Sequence, residues 1–502
     1  MKHYFFLLLL ATLPAHSAQF TNLQPDNLYS VWVNGSTASV QTAMNGILEV
    51  DLPAGRNHIA LEILDTQPTP VETPSTSPTP TATPTATATN QGREVIVGSF
   101  DAGEKKNKFE VFGENGNSLS GSIDVLSGVQ TEGMIKTADL NGDSVLEVIA
   151  AGYSQEKGVV LEYWTGKGEL VRTIEALPAE FNQENYLLTG PEDGLQAGAA
   201  IVVGRASNGS YHLVSVDFQG KSKGTTEVLK PGYRQIEDLT ALHSGPEGSL
   251  EVAILARNNN DSVELNVVRD SALSTSVVLF GNGYTGSPCV FGLDINGDGV
   301  QEVGSVSRNS LNDSFRLLVV SSSGQVLLKK NMFPGKFENE ATFSAADIDG
   351  DGRDEIIAVG RMIGTGSNVI QVLDDDGTQL LARSILDPAF NSAKSSVLAD
   401  VNGDGQMEFI VAGKDSVSGV AAYQVLENNG SLIGGGTVFE TPANPVLASS
   451  DLDEDGQAEL LILGEFDDGN YGLELRKGAQ GQVQFSTTLP SIPNYLNAGD
   501  LL

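Results

Sequence analysis

Five stretches of this chain place acidic and amide side chains at the same four places of a short loop. They are DLNGDSVLEV from Asp139, DINGDGVQEV from Asp294, DIDGDGRDEI from Asp347, DVNGDGQMEF from Asp400 and DLDEDGQAEL from Asp451. Places one, three, five and nine read Asp, Asn or Asp, Asp and Glu, and place seven adds a backbone carbonyl. All of these are oxygen donors, and neither His nor Cys is among them. A flexible loop of this kind suits Ca²⁺, which takes six to eight oxygens, better than Mg²⁺, which keeps its waters, or a softer metal. Glycine at places four and six lets the chain curl around an ion. The spacing is not that of an EF-hand, whose Glu stands at place twelve between helices. One such loop alone reads equally well as an Asx turn; five in phase point to calcium.

The elements that must carry these loops follow from their spacing. Two decayed copies, PEDGLQAGAAIVVG from Pro191 and HSGPEGSLEVAILA from His243, fill the gap between Asp139 and Asp294. The starts at 139, 191, 243, 294, 347, 400 and 451 are then separated by 52, 52, 51, 53, 53 and 51 residues. Within a unit, β-rich runs such as MEFIVAG, VAAYQVLE, LIGGGTVF and PVLAS alternate with Gly/Asn/Asp turns, which gives about four strands per unit. An eighth unit is split: the chain ends in NAGDLL, the front of the motif, while GREVIVGSF opens the repeat region with Glu94 at place nine. A linear solenoid has no use for such a split, whereas a closed ring needs it. The expected fold is all-β, an eight-bladed β-propeller, with seven blades as the alternative if one decayed unit is an insertion.

The loop DxNGDGxxE followed by an apolar strand resembles the FG-GAP/VCBS repeat of integrin α-subunit propellers and of many secreted bacterial proteins. The resemblance covers residues 93–502. It implies that each loop joins the first and second strands of a blade, that calcium sits on that face, and that partners are met by loops of the other face. Carried over, it implies about five Ca²⁺ sites. The first is Asp139, Asn141, Asp143, Val145 and Glu147, and the second Asp294, Asn296, Asp298, Val300 and Glu302. Asp347, Asp349, Asp351, Arg353 and Glu355 form the third, with Asp400, Asn402, Asp404, Gln406 and Glu408 as the fourth. Asp451, Asp453, Asp455, Gln457 and Glu459 form the fifth, the place-seven residue giving its carbonyl throughout. Ser144 and Glu454 stand where glycine is usual, which weakens the first and fifth sites. Pro191, Leu195 and Ala199, and His243 and Gly245, remove ligands from the decayed copies, so those units should be metal-free.

Residues 1–17 read as a signal peptide: Lys2, an apolar run from Phe5 to Leu13, and the small residues Ala15 and Ser17. The destination is the exterior or the cell surface, with the periplasm as an alternative. No apolar run reaches the ~18 residues of a membrane span, so no membrane insertion is expected. Residues 18–65 alternate apolar and polar side chains in about four strands of a small β module. Residues 66–92, beginning TQPTPVETPSTSPTPTATPTATAT, have the composition of an extended Thr/Pro linker. The propeller is 93–502.

The 64 acids against 29 bases, a net charge of −35, exclude nucleic acid as a partner. Cys289 is the only cysteine, so neither an internal disulfide nor a thiol–metal cluster is available. His212 and His243 are the only histidines of the repeat region, and no nucleophile–base pair or Gly-x-Ser-x-Gly elbow accompanies them. The expectation is a binding or adhesion module for a glycan or surface protein, with no catalytic residues. The alternative is a lyase-like polysaccharide enzyme on an eight-bladed calcium propeller. Phe181, Tyr233, Tyr284, Phe337 and Phe390 each stand ten residues before a motif start. They read either as wedges between blades or as a ring of sugar-stacking surfaces, for which Tyr284, Phe337 and Phe390 are the candidates.

Overall fold

The structure is a computed structural model. It describes residues 94–499 apart from 114, 130, 144, 191–197, 244–249, 270–271, 287, 334–335, 339–340, 387–388, 440–442, 454, 467–469 and 490–491, and, earlier in the chain, the backbone of five strands between 17 and 64. The expected signal peptide, apart from Ser17, and the linker lie outside the described residues. The chain divides into two compact units, 1–88 and 89–502.

In the first unit, Ser17–Phe20 pairs with Leu48–Asp51, while Leu28–Val33 lies between Ser36–Thr42 and Ile59–Leu64. These are five strands in two sheets, one strand more than the alternation suggested.

The second unit is a ring of eight four-stranded antiparallel sheets. Seven are contiguous in sequence, each meandering from an inner first strand to an outer fourth. Blade one begins at Met134, two at Asn185, three at Tyr233, four at Cys289, five at Thr342, six at Phe390 and seven at Ala443. Blade eight joins the two ends of the chain: its inner strand is Ile492–Gly499, hydrogen-bonded to Glu94–Asp101, and Lys106–Phe112 and Ile123–Val125 follow outward. The seven-bladed alternative is excluded, and the split motif serves as the closure. Across the seam, the Thr137 amide of blade one donates to the Tyr495 hydroxyl of blade eight at 3.1 Å, and Lys136 lies over the Tyr495 ring.

The second strand of each blade is buried on both faces, which is why it reads as an unbroken apolar run, as in EIIAVGR and EFIVAGKD, rather than alternating. The core is a series of clusters between neighbouring sheets. Ile149, Leu161 and Val202 meet between blades one and two, and Leu317, Ile356 and Phe337 between blades four and five. Outer strands such as Gln379–Ile385 are largely exposed.

Candidate cation loops and the opposite face

Each of the five motifs spans the connection between the first and second strands of blades one, four, five, six and seven. The topology therefore sets all five on one face of the ring. Place four is left-handed in Gly142, Gly297, Gly350 and Gly403, and place six in Gly299, Gly352, Gly405 and Gly456, with φ between 72° and 86°. Glycine is required there because other residues are strained at such angles. The place-one aspartate gathers the amides of the turn: in blade five, Asp347 Oδ1 accepts from Gly350 at 2.7 Å and Oδ2 from Gly352 at 2.9 Å. The place-five carboxylate accepts the place-seven amide, as in Asp351 from Arg353 and Asp298 from Val300. Ser144 and Glu454 are outside the described residues.

The place-nine glutamate opens the second strand and is buried in all five blades. One oxygen is tied down: Glu147, Glu302, Glu355, Glu408 and Glu459 each accept the place-two amide, from Leu140, Ile295, Ile348, Val401 and Leu452. The other oxygen distinguishes the loops. Where place three is Asn, its amide donates to Oε1, from Asn141, Asn296 and Asn402 at 2.7, 2.7 and 2.8 Å. Where place three is Asp it supplies no donor: Oε1 of Glu355 is buried without a hydrogen-bond partner, and Oε1 of Glu459 has only the Lys477 ammonium near it, at 3.5 Å. Desolvation pushes Glu147, Glu355 and Glu408 up to about 7, with repulsion from the neighbouring aspartates adding to it. The same causes raise Glu302 and Glu459.

A buried carboxylate oxygen without a donor is costly unless a positive charge meets it. Blade five has that need and the means to answer it: carboxylate oxygens of Asp347, Asp349 and Asp351 lie within 4.8 Å of one another. Glu355, at 0% exposure, borders that loop. The donor set fits a hard divalent cation. In blades one, four and six that oxygen is already met by the place-three Asn amide. In blade seven, Lys477 Nζ already contacts Asp453, Asp455 and Glu459.

Neighbouring loops are also joined. The Asp139, Asp294 and Asp400 carbonyls accept the place-eight amides of the next blade, from Gly198, Asp354 and Ala458. In the decayed blades, Ala199 of blade two has no carboxylate at place nine, and Glu251 of blade three is paired with Arg269. Pro191, Leu195 and Gly245 lie outside the described residues.

On the opposite face emerge the connections between second and third strands and those between blades. The five recurrent aromatics lie here, and packing claims most of their surface. Phe337 is 0% exposed and stacks on Phe333 at 4.1 Å, so it offers no face to a sugar and its assignment as a ligand surface is withdrawn. Phe181 is likewise buried. Tyr233 donates to Glu264. Half-buried Tyr284 leans on Phe280 at 5.2 Å, and half-buried Phe390 packs into the cluster between blades five and six.

An arginine repeat that the sequence reading passed over holds this arrangement. Arg205, Arg257 and Arg308, at the ends of the second strands, donate to the Tyr233, Tyr284 and Phe337 carbonyls of the next blade. Arg361 is their counterpart in blade five and pairs with Glu338. The steps of 52, 51 and 53 were visible in the sequence.

A second device was also missed. Leu126, Phe333, Leu386 and Phe439, which follow outer strands, are left-handed, with φ of 55°, 59°, 52° and 57°. Their amides donate to Glu162, Gln371, Gln424 and Glu474 on the third strand of the next blade.

His212 Nε2 lies 3.0 Å from Ser210 Oγ and 3.9 Å from Glu227. Both contacts fall on one nitrogen, and the Ser210 hydroxyl is buried and within hydrogen-bond distance of Asn208. A nucleophilic relay needs the acid on the other nitrogen.

Residues 347–411 match the family model described as FG-GAP-like repeat. No curated protein matches this chain. Among solved structures, the Dos1 propeller is 13% identical with a TM-score of 0.45, over 76% of this chain and 93% of its own. Sqt1 of Saccharomyces cerevisiae is 12% identical with a TM-score of 0.47, over 72% and 88%. The BP39L lectin of Burkholderia pseudomallei is 10% identical with a TM-score of 0.40, over 78% and 99%. At these identities the likeness concerns the propeller fold alone. The chain thus carries an FG-GAP-like repeat within an eight-bladed β-propeller.

Proposed function

We propose that this protein is an exported binding module: a propeller whose one face is stabilised by Ca²⁺ and whose other face docks a surface protein. The observation that carries the docking face is a run of apolar loop tips on consecutive blades. Leu311, Ile363 and Val417 top the connections between second and third strands of blades four, five and six, at 87%, 44% and 90% exposure. The Leu311 and Val417 tips are built, not frayed: their amides are held by Asn309 and Asp415. Three exposed aliphatic side chains on the same face of consecutive blades favour a protein surface, since a glycan is gripped by exposed aromatic faces.

The calcium reading is supported by the donorless Glu355 oxygen beside three converging carboxylates. The bound ion would neutralise the loop and supply structural order. The chain's own part is to hold Asp347 and Asp351 by the turn amides and to keep Glu355 dry. Export is supported by the sequence of residues 1–17.

A glycan reading rests on one feature. Beside the outer strand of blade six, where Gly434–Gly436 carry no side chains, a cleft of about 530 Å³ is lined by Phe390, Gln424, Thr437 and Gln480. The test is pull-down from surface-protein extracts, run with a glycan array, using the intact protein and the variants Leu311→Asp plus Val417→Asp, and Phe390→Ala. Capture lost with the loop tips alone supports protein docking. Glycan binding lost with Phe390 alone supports the cleft, and loss with neither removes both.

A further inference from the structure

The five motifs are not five equivalent cation loops. In blade seven the converging oxygens already surround a positive charge of the chain's own. Lys477 Nζ is in contact with Asp453 Oδ2, lies 2.7 Å from Asp455 Oδ2 and 3.5 Å from Glu459 Oε1, and so reaches places three, five and nine together. The ammonium therefore stands where a cation held by this loop would stand, and an ammonium and a divalent ion cannot share that space.

The strand register explains why this happens in one blade. Leu460 pairs with Arg476, so Lys477, the next residue, falls opposite Glu459 at the end of the third strand. The same position is Thr165 in blade one, opposite Glu147, and Ser321 in blade four, opposite Glu302. It is Asp374 in blade five and Glu427 in blade six, which add negative charge.

Blade three provides an independent instance. Its loop has lost the ligands at places one and three, yet Glu251 remains buried at place nine. The residue in register with it is Arg269, whose guanidinium pairs with that carboxylate. Among the described blades, a basic residue at this register appears in these two and no other.

The geometry points to a built-in replacement: in blade seven Lys477 is a tethered counter-ion that takes the place of calcium, so this loop is closed without metal and excludes it. The inference rests on the calcium reading of the remaining loops, and the experiment separates the two. Calcium bound per chain is counted by equilibrium dialysis with elemental analysis, on the full chain, for the parent protein, Asp351→Asn, Asp455→Asn, Lys477→Met and Lys477→Arg.

The expected result is one calcium fewer in Asp351→Asn, no change in Asp455→Asn or Lys477→Arg, and one more in Lys477→Met. One fewer in Asp455→Asn overturns the replacement and leaves the calcium reading intact. No calcium in the parent protein overturns the calcium reading. The counter-ion role is then judged by melting in chelator, where Lys477→Met should lower the melting temperature and Lys477→Arg and the exposed Lys329→Met should not. Equal melting of all three overturns it.

Discussion

Replacing Glu355 by glutamine should stabilise the ring in chelator, and calcium should narrow that advantage. In the metal-free ring the Glu355 carboxylate is fully buried, with one oxygen on the Ile348 amide at 2.9 Å and the other without a donor. Its pKa is pushed from 4.5 up to about 7. At pH 8 the ionised group therefore costs about 3 kcal/mol, from ~1.4 kcal/mol for each tenfold change in proton affinity. Glutamine keeps an oxygen for Ile348 and carries no charge, so in chelator Glu355→Gln should be the more stable form by up to that amount. For a ring of roughly 400 residues, with about 2 cal/mol/K of unfolding entropy per residue, this is a rise of about 3 to 4 °C. With calcium at ten times its Kd the parent gains about 1.4 kcal/mol at this site, and the variant, lacking the charge, gains little. The calcium-induced rise in melting temperature should then be smaller in Glu355→Gln than in the parent. Paired melts at pH 8 in EDTA and in excess calcium check this. A variant less stable than the parent in EDTA would refute the reasoning, because it would mean that the carboxylate is not strained by burial.

Glu147, Glu355 and Glu408 take up protons as pH falls through about 7 in the metal-free fold, while the unfolded chain does so near 4.5. The metal-free ring should therefore gain stability between pH 7 and 4.5, and calcium added to weakly buffered protein near pH 6.5 should release protons, which a pH electrode records. Gln424→Leu leaves the buried amide of Leu386 unsatisfied and should cost about 1 to 3 kcal/mol in denaturant unfolding. Phe337→Ala empties a site between blades and should cost about 3 to 5 kcal/mol, whereas Leu311→Asp should leave stability within about 0.5 kcal/mol and affect only partner capture.

The ring was legible in the sequence because its determinants are local and repeated. The loop places, the left-handed glycines and the strand run after Glu355 lie within a dozen residues of one another, and the split between Glu94 and the C-terminal strand follows from counting. The features that were missed link residues distant in sequence. Lys477 lies 24 residues from Asp453 in the sequence and meets it only because the third strand returns to the loop. The Glu162, Gln371, Gln424 and Glu474 contacts reach 36, 38, 38 and 35 residues back to the preceding blade. On an otherwise apolar strand, a single Gln or Glu gives no sign of its partner. The aromatic repeat was visible, but its period is equally consistent with packing and with ligand contact. Burial decides for Phe337, whose ring is sealed against Phe333.

On the proposed reading, calcium orders one face of the ring. Elemental analysis of the dialysed full-length protein, with melting in calcium and in EDTA, tests it most directly. Four occupied loops at ten times Kd contribute about 6 kcal/mol. About four calcium ions per chain and a clear fall in melting temperature on chelation at pH 8 are expected. A metal-free protein whose melting curve is the same in calcium and in EDTA would contradict it.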